Sequence, residues 1–272
     1  MFTPIFRRLV GVLAVLCLLT AIPVRAAQPP VSIEVAGRAL SSDTESYIDR
    51  GTAYVPLAAF VREMGGGTLT WDGTSAQLDT DTLDLTATPN QLWLEANGRA
   101  LYVPQAIQLT NGRIMVPVRT AAQLFGAEVT WDEEAQTVRV SAGGGPLAHA
   151  DEFYDPDTLY WLSRVISAES QGEPLAGQIA VGNVALNRVA SSSFPNTLYR
   201  VIFQEGQFEP VENGTIYLDP YHLSVTAAKL CLEGAQVVGD CLYFFAPELS
   251  PGTWIVENRT YYTTIGCHRF YL

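Results

Sequence analysis

The sequence predicts a two-domain α+β protein, with an N-terminal α+β domain built of two strand/helix repeats and a C-terminal domain that is mainly helical. Three observations carry that reading: an internal repeat within residues 31–140, a glycine-rich break at residues 141–146, and two consecutive helical runs within residues 155–189. A chain of 272 residues is long enough for two domains of ordinary size.

The repeat defines the first domain, residues 27–141. Gly37-Arg38-Ala39-Leu40 returns as Gly98-Arg99-Ala100-Leu101, and Tyr54-Val55-Pro56-Leu57 as Met115-Val116-Pro117-Val118, both at an offset of 61. Met64-Gly65 answers Phe125-Gly126, and Thr70-Trp71-Asp72 answers Thr130-Trp131-Asp132 one residue closer. Each unit reads strand, turn, strand, short helix, strand, with Pro56 and Pro117 ending a strand and opening the helix. Trp71 and Trp131, each just before an Asp turn, read as packing residues rather than sugar platforms. The pattern resembles the copper amine oxidase N-terminal domain. The name implies no copper here, because no His or Cys occurs from residue 27 to residue 146. No cofactor and no metal are expected anywhere in the chain.

Residues 1–26 combine Arg7-Arg8, an apolar run at 9–22 and Val24-Arg25-Ala26, the pattern of a secretory signal peptide. The expected location is therefore secreted, with an uncleaved anchor as the alternative. Removing the leader takes three arginines and no acid, leaving 13 basic against 28 acidic residues. That balance, with Lys229 as the one lysine, argues against nucleic acid and against stable membrane association after signal removal. Polymers bearing phosphate or carboxylate would be repelled at long range, so binding to such a polymer would have to rest on aromatic and amide contacts rather than on charge.

Residues 142–154 read as a linker, with His149 a solvated residue inside it, and residues 155–272 as the second domain. Asp155 is a helix N-cap and Pro156 takes the first helical position, where its missing N–H costs nothing. Leu159, Leu162, Ile166 and Ala168 give this helix one buried face. Glu169 closes it at the break Ser170-Gln171-Gly172. A second helix follows Glu173-Pro174, and Leu175, Ile179, Val181, Val184, Leu186 and Val189 cover more than one of its sides, as in a core helix. A carboxylate at a helix C-terminus, beside an apolar face, has its pKa raised by the dipole and by exclusion of water. Such a Glu can serve as a general acid; the plainer alternative is a capping or loop Glu.

The run Ala168-Glu169-Ser170-Gln171-Gly172-Glu173-Pro174, then Gly177-Gln178-Ile179, Leu186-Asn187-Arg188-Val189, Phe194-Pro195-Asn196, Gly206-Gln207-Phe208, Leu232-Glu233-Gly234, Leu242-Tyr243-Phe244-Phe245 and Gly266-Cys267-His268-Arg269-Phe270 resembles the SleB-like family of cell-wall hydrolases. That family includes spore-cortex-lytic enzymes. The resemblance implies a lysozyme and lytic-transglycosylase architecture for residues 155–272, with peptidoglycan glycan strands as the partner and Glu169 as catalytic acid and base. It also implies a substrate-binding set of Glu173, Gln178, Asn187, Gln207, Phe208, Tyr243, Phe244 and His268. Within the resemblance His268, in the closing Gly-x-His-x-Phe stretch, braces the fold or cleft rather than performing chemistry; without it, Phe208 reads as core and Gln207 as surface. In the implied mechanism Glu169 protonates the oxygen leaving C1 of a muramyl sugar, then deprotonates that sugar's 6-hydroxyl, giving a 1,6-anhydro end. The alternatives are hydrolysis with a second acid, Glu173, Glu209 or Asp219, and a non-catalytic wall-binding scaffold.

A further helix is expected from residue 222 to residue 233, stopped by Gly234. Cys231 and Cys241 flank a turn closely enough to be bridged, leaving Cys267 free; a bridge from Cys267 to either is the alternative.

Overall fold

A computed structural model describes residues 29–272, so the expected signal peptide at 1–26 lies outside the described residues. Among the described residues no helix is long and apolar enough to cross a membrane.

Strands Thr52–Pro56 and Arg113–Pro117 pair antiparallel at the centre of a four-stranded sheet, with Val116 opposite Val55. Each runs directly into a helix, α1 (Leu57–Glu63) or α2 (Val118–Gln123), because Pro56 and Pro117 cannot continue the ladder yet suit a helix entry. The two helices meet through Phe60 and Phe125, whose ring centroids lie 6.4 Å apart. A five-stranded sheet, Thr70–Trp71 through Arg99–Tyr102, and a second four-stranded sheet complete the domain. In the latter, Ser32–Val35 lies parallel to Thr137–Val140, tying the start of the domain to its end. The tight hairpins at Ala36-Gly37 and Asn97-Gly98 both require positive φ at two successive residues, which explains the glycine in each. Trp71 and Trp131 depart from expectation: they are 52% and 44% exposed, standing on outer strands rather than packing inward.

Residues 142–154 are tied to the first domain by hydrogen bonds. Gly144 and Gly145 donate backbone hydrogen bonds to Phe125 O, Leu147 to Leu124 O, and the side chain of Asn97 grips Leu147 O at 2.6 Å. A short helix, α3 (Ala150–Phe153), and buried Tyr154 follow.

The second domain is mainly helical. It is built on α4 (Pro156–Ser170), α5 (Leu175–Ala190), α6 (Leu198–Ile202), α7 (Glu209–Asn213) and α8 (His222–Leu232). Asp155 caps α4 by accepting from Thr158 N, as its side-chain chemistry predicts. Helix α5 is buried on nearly all sides. A Cβ on Gly182 would lie 2.7 Å from Cys231 Sγ and 2.8 Å from Ile166 Cδ1, so glycine is what lets α4, α5 and α8 approach this closely. Helix α9 (Thr253–Asn258) and a three-stranded sheet, Tyr243–Phe245, His268–Tyr271 and Tyr261–Ile265, close the other side.

The expected cysteine bridge is absent. Cys231, Cys241 and Cys267 are all free, because Cys231 points into the helix core, where its thiol contacts Ile179 O, while Cys241 is buried in a separate apolar cluster and Cys267 is exposed.

The domains are joined by a buried ion pair. Arg99 Nε and Nη2 donate to Glu233 Oε1 and Oε2, each at 2.7 Å, with the two side chains only 8% and 7% exposed. Tyr154 donates its hydroxyl to Glu233 Oε1, Phe153 lies under the Arg99 guanidinium, and Lys229 reaches Gly98 O. Ala100 is buried in the helical core itself, with Trp93 and Tyr102 packed against it.

Candidate active site

The C-terminus of α4 opens into a cleft of about 990 Å³. Glu169 is in the last turn of α4 and lines it, together with Arg188 from α5, Gln207 and Glu209 at the start of α7, and Phe244 and His268 from the sheet. The α4–α5 break aims the carboxylate outward. Glu169 makes no hydrogen bond or ion pair among the described residues, so its protonation is set by surroundings rather than by a partner. Burial comes first and pushes its pKa up to about 7; the negative field of Glu209 adds to that, and Arg188 works against both.

Arg188 is the counterweight. Its Nε donates to Leu242 O at 2.8 Å, and its guanidinium carbon lies 5.0, 5.2 and 5.8 Å from the ring centroids of Phe194, Phe208 and Tyr243. Nη1 is buried without an acceptor. Burial draws the group down to about 10, with Tyr243 and Glu169 opposing, so it stays cationic at neutral pH. Sequence reasoning did not single Arg188 out. The available signal was a charged residue on a helix apolar all round, which requires the charge to be buried.

Of the expected binding residues, Gln207, Phe244 and His268 line the cleft and the other five do not. Phe208 is core, 2% exposed, lying beneath Arg188 and Phe244. Gln178 is fully buried; its Oε1 accepts from Ser224 and its Nε2 donates to Glu173 O, so it pins the loop that follows Glu169. Asn187 spends its amide on Gly239 O and Cys241 O at 2.7 and 3.0 Å. Tyr243 packs between Phe194 and Trp254 and accepts from Arg259. Each of these polar groups has a hydrogen-bond partner within the protein itself.

Glu173 lies behind His268. Its Oε2 accepts from Cys267 N at 2.9 Å, while Oε1 is 3.9 Å from His268 Nδ1. Burial lowers the imidazole pKa despite the nearby carboxylate, so at neutral pH this contact is not an ion pair. A Cβ on Gly266 would collide with the Glu173 carboxylate, and φ there is +58°, so this turn admits only glycine. Of the possible second acids, Glu209 and Asp219 line the cleft, and Asp219 is held by Arg164 at 3.0 Å.

Residues 172–271 match the cell wall hydrolase family, and residues 34–140 match the copper amine oxidase N-terminal domain. A spore cortex-lytic enzyme of Bacillus cereus is 38% identical over 117 residues, 43% of this chain and 45% of that protein. Cell wall hydrolase CwlJ of Oceanobacillus iheyensis is 32% identical over 101 residues, 34% of this chain and 72% of that protein. The solved catalytic domain of the germination-specific lytic transglycosylase SleB from Bacillus anthracis shares 38% identity at a TM-score of 0.42, covering 44% of this chain and 97% of that one. The chain belongs to the cell wall hydrolase family. It spans about half the length of the spore cortex-lytic enzymes it matches. Glu169 lies just before the span matched to the family, so its role rests on the geometry above.

Proposed function

We propose that this chain cleaves the glycan strands of peptidoglycan as a lytic transglycosylase, with Glu169 as its one acid and base. The observation that carries the reading is a carboxyl group facing a large cleft with its pKa raised to about 7, able to give a proton and take one back near neutral pH. Protonated Glu169 donates to the oxygen leaving C1 of a muramyl sugar. As carboxylate, steadied by Arg188, it accepts the proton of the same sugar's 6-hydroxyl, which closes onto C1. That hydroxyl is tethered beside its target and has an effective concentration water cannot match. Gln207 and Phe244 offer an amide and a ring to the acetamido sugars. The lysozyme-like architecture, the repeat origin of the first domain and export through residues 1–26 belong to the same reading. Full-length chain incubated with purified sacculi should release soluble fragments lighter by one water than hydrolytic products, read by mass spectrometry. A wall-binding scaffold would release none.

Hydrolysis is the second reading, and Glu209 is the acid it would use, because it shares the cleft while Glu173 is engaged behind His268. The two carboxylates are coupled in either case. Glu209 raises the Glu169 pKa, so Glu209→Gln lowers it. A general acid is lost as pH rises through its pKa, and the alkaline limb of the kcat/KM profile should therefore move to lower pH. An unmoved limb would show that Glu209 does not set the acid.

A further inference from the structure

The side of α4 that carries Arg164, Ala168 and Glu169 into the cleft continues past it. Tyr160 stands one turn before Arg164 on the same helical face, and the Arg164 guanidinium carbon sits 3.7 Å from the centroid of its ring. Trp161 is the hub of a cluster around Tyr160, with centroids at 4.9 Å to Tyr160, 5.0 Å to Phe203, 5.6 Å to Tyr199 and 6.3 Å to Tyr217. Tyr199 stacks on Phe203 at 4.4 Å, which leaves its outer face to solvent. Tyr160, Tyr199 and Tyr217 are 43%, 52% and 60% exposed.

Trp161 and Phe203 anchor the cluster on the helical core, while the three tyrosines leave about half of their surface to solvent as one contiguous aromatic patch, the kind of surface that marks a binding site. Two of the three segments that bear the cluster also bear the cleft wall, α6 with Tyr199 and its C-cap Phe203 being the third: α4 supplies Arg164, and residues 215–219 supply Thr215, Leu218 and Asp219. Arg164 and Asp219 bridge the two segments at 3.0 Å, so platform and cleft form one continuous surface. From Tyr160 to Ala168 the helix rises about 12 Å, which places the platform beyond the reacting bond rather than at it.

We infer that Tyr160, Trp161, Tyr199, Phe203 and Tyr217 form a distal subsite that stacks sugars of a β-1,4-linked N-acetylated amino-sugar strand whose reacting bond lies at Glu169. This rests on the glycan reading of the cleft. The rings brace one another, so little freedom remains to be lost on binding, and their faces match the C–H faces of pyranose rings. Anionic bilayers are disfavoured as an occupant, because the chain carries 16 basic against 28 acidic residues.

The test uses the full-length Glu169→Gln chain, so that binding is read without turnover; failure of the catalytic assignment is read separately, in the turnover of Glu169→Gln against the native chain. A hexamer of β-1,4-linked N-acetylglucosamine is titrated calorimetrically into this chain and into it with Tyr199→Ala, Tyr217→Ala or, as control, Tyr262→Ala. The expected result is about a tenfold rise in Kd for each of the first two, with the control unchanged. Affinities within twofold of the Glu169→Gln parent in both Tyr199→Ala and Tyr217→Ala, or no hexamer binding by the parent, would overturn the subsite. So would a sedimenting mass that halves on Tyr199→Ala, which would assign the cluster to a second copy of the chain.

Discussion

Glu169→Gln should abolish glycan cleavage and leave the fold intact. Glutamine is nearly isosteric with glutamate, and Glu169 makes no hydrogen bond or ion pair among the described residues that the amide would break. What disappears is the proton, and positioned proton transfer alone is worth roughly 10²- to 10⁴-fold. The same substitution has a signature in stability. The folded-state pKa of Glu169 is raised from the ordinary 4.5 to about 7, so between those values the folded chain holds a proton that the unfolded chain has released. Native stability therefore falls as pH rises through that window, by on the order of 3 kcal/mol once complete. The glutamine variant carries no such cost. Melting temperatures of the two chains should be close at the acid end of the window and diverge in favour of Glu169→Gln toward its alkaline end. A variant that folds well and still cleaves would remove Glu169 from the mechanism.

Breaking the ion pair between the domains produces the second large effect, this time on stability. Glu233→Ala leaves Arg99 charged, buried and unpaired, and deprives Tyr154 of its acceptor. Removing one partner of a buried pair typically costs about 3–5 kcal/mol, whereas exchanging both for apolar residues of similar volume can be neutral. Denaturant midpoints for Glu233→Ala and for Arg99→Met with Glu233→Leu separate the two cases. A loss below about 0.5 kcal/mol in Glu233→Ala would mean that the interface opens to water. A fragment of residues 151–272 keeps every residue that lines the cleft but lacks Arg99, Trp93 and Tyr102, so it should melt well below the full chain.

Helix α4 was legible in the sequence because its signals are local: Asp155 caps, Pro156 starts, and the apolar spacing marks Leu162 and Ile166 as buried, although Ala168 lines the cleft instead. The position of Glu169, an acid at a break between two helical runs, was legible for the same reason. Arg188 and Gln178 were not, because a polar residue inside a buried helix declares its role only through partners distant in sequence, such as Leu242 and Ser224. Asn187 and Tyr243 carry sugar-binding chemistry in their side chains, and the fold engages that chemistry with Gly239, Cys241 and Arg259, which are distant in sequence. Phe208 illustrates the converse: its apolar character alone pointed to the core, where it lies. The cysteines misled because closeness along the chain does not fix where a thiol points. Cys231 turns inward from α8 onto Ile179 of α5, in a different apolar cluster from Cys241. The interdomain pair was beyond reach for a simpler reason, as nothing local to Gly98-Arg99-Ala100 indicates that its partner is Glu233.

Digestion of purified sacculi in water enriched in heavy oxygen tests the central claim most directly. The full chain should release anhydromuramyl ends that carry no heavy oxygen, because the attacking oxygen is the sugar's own 6-hydroxyl. Heavy oxygen at the new reducing end would contradict this, showing that water was the nucleophile and that Glu209 is the base to examine.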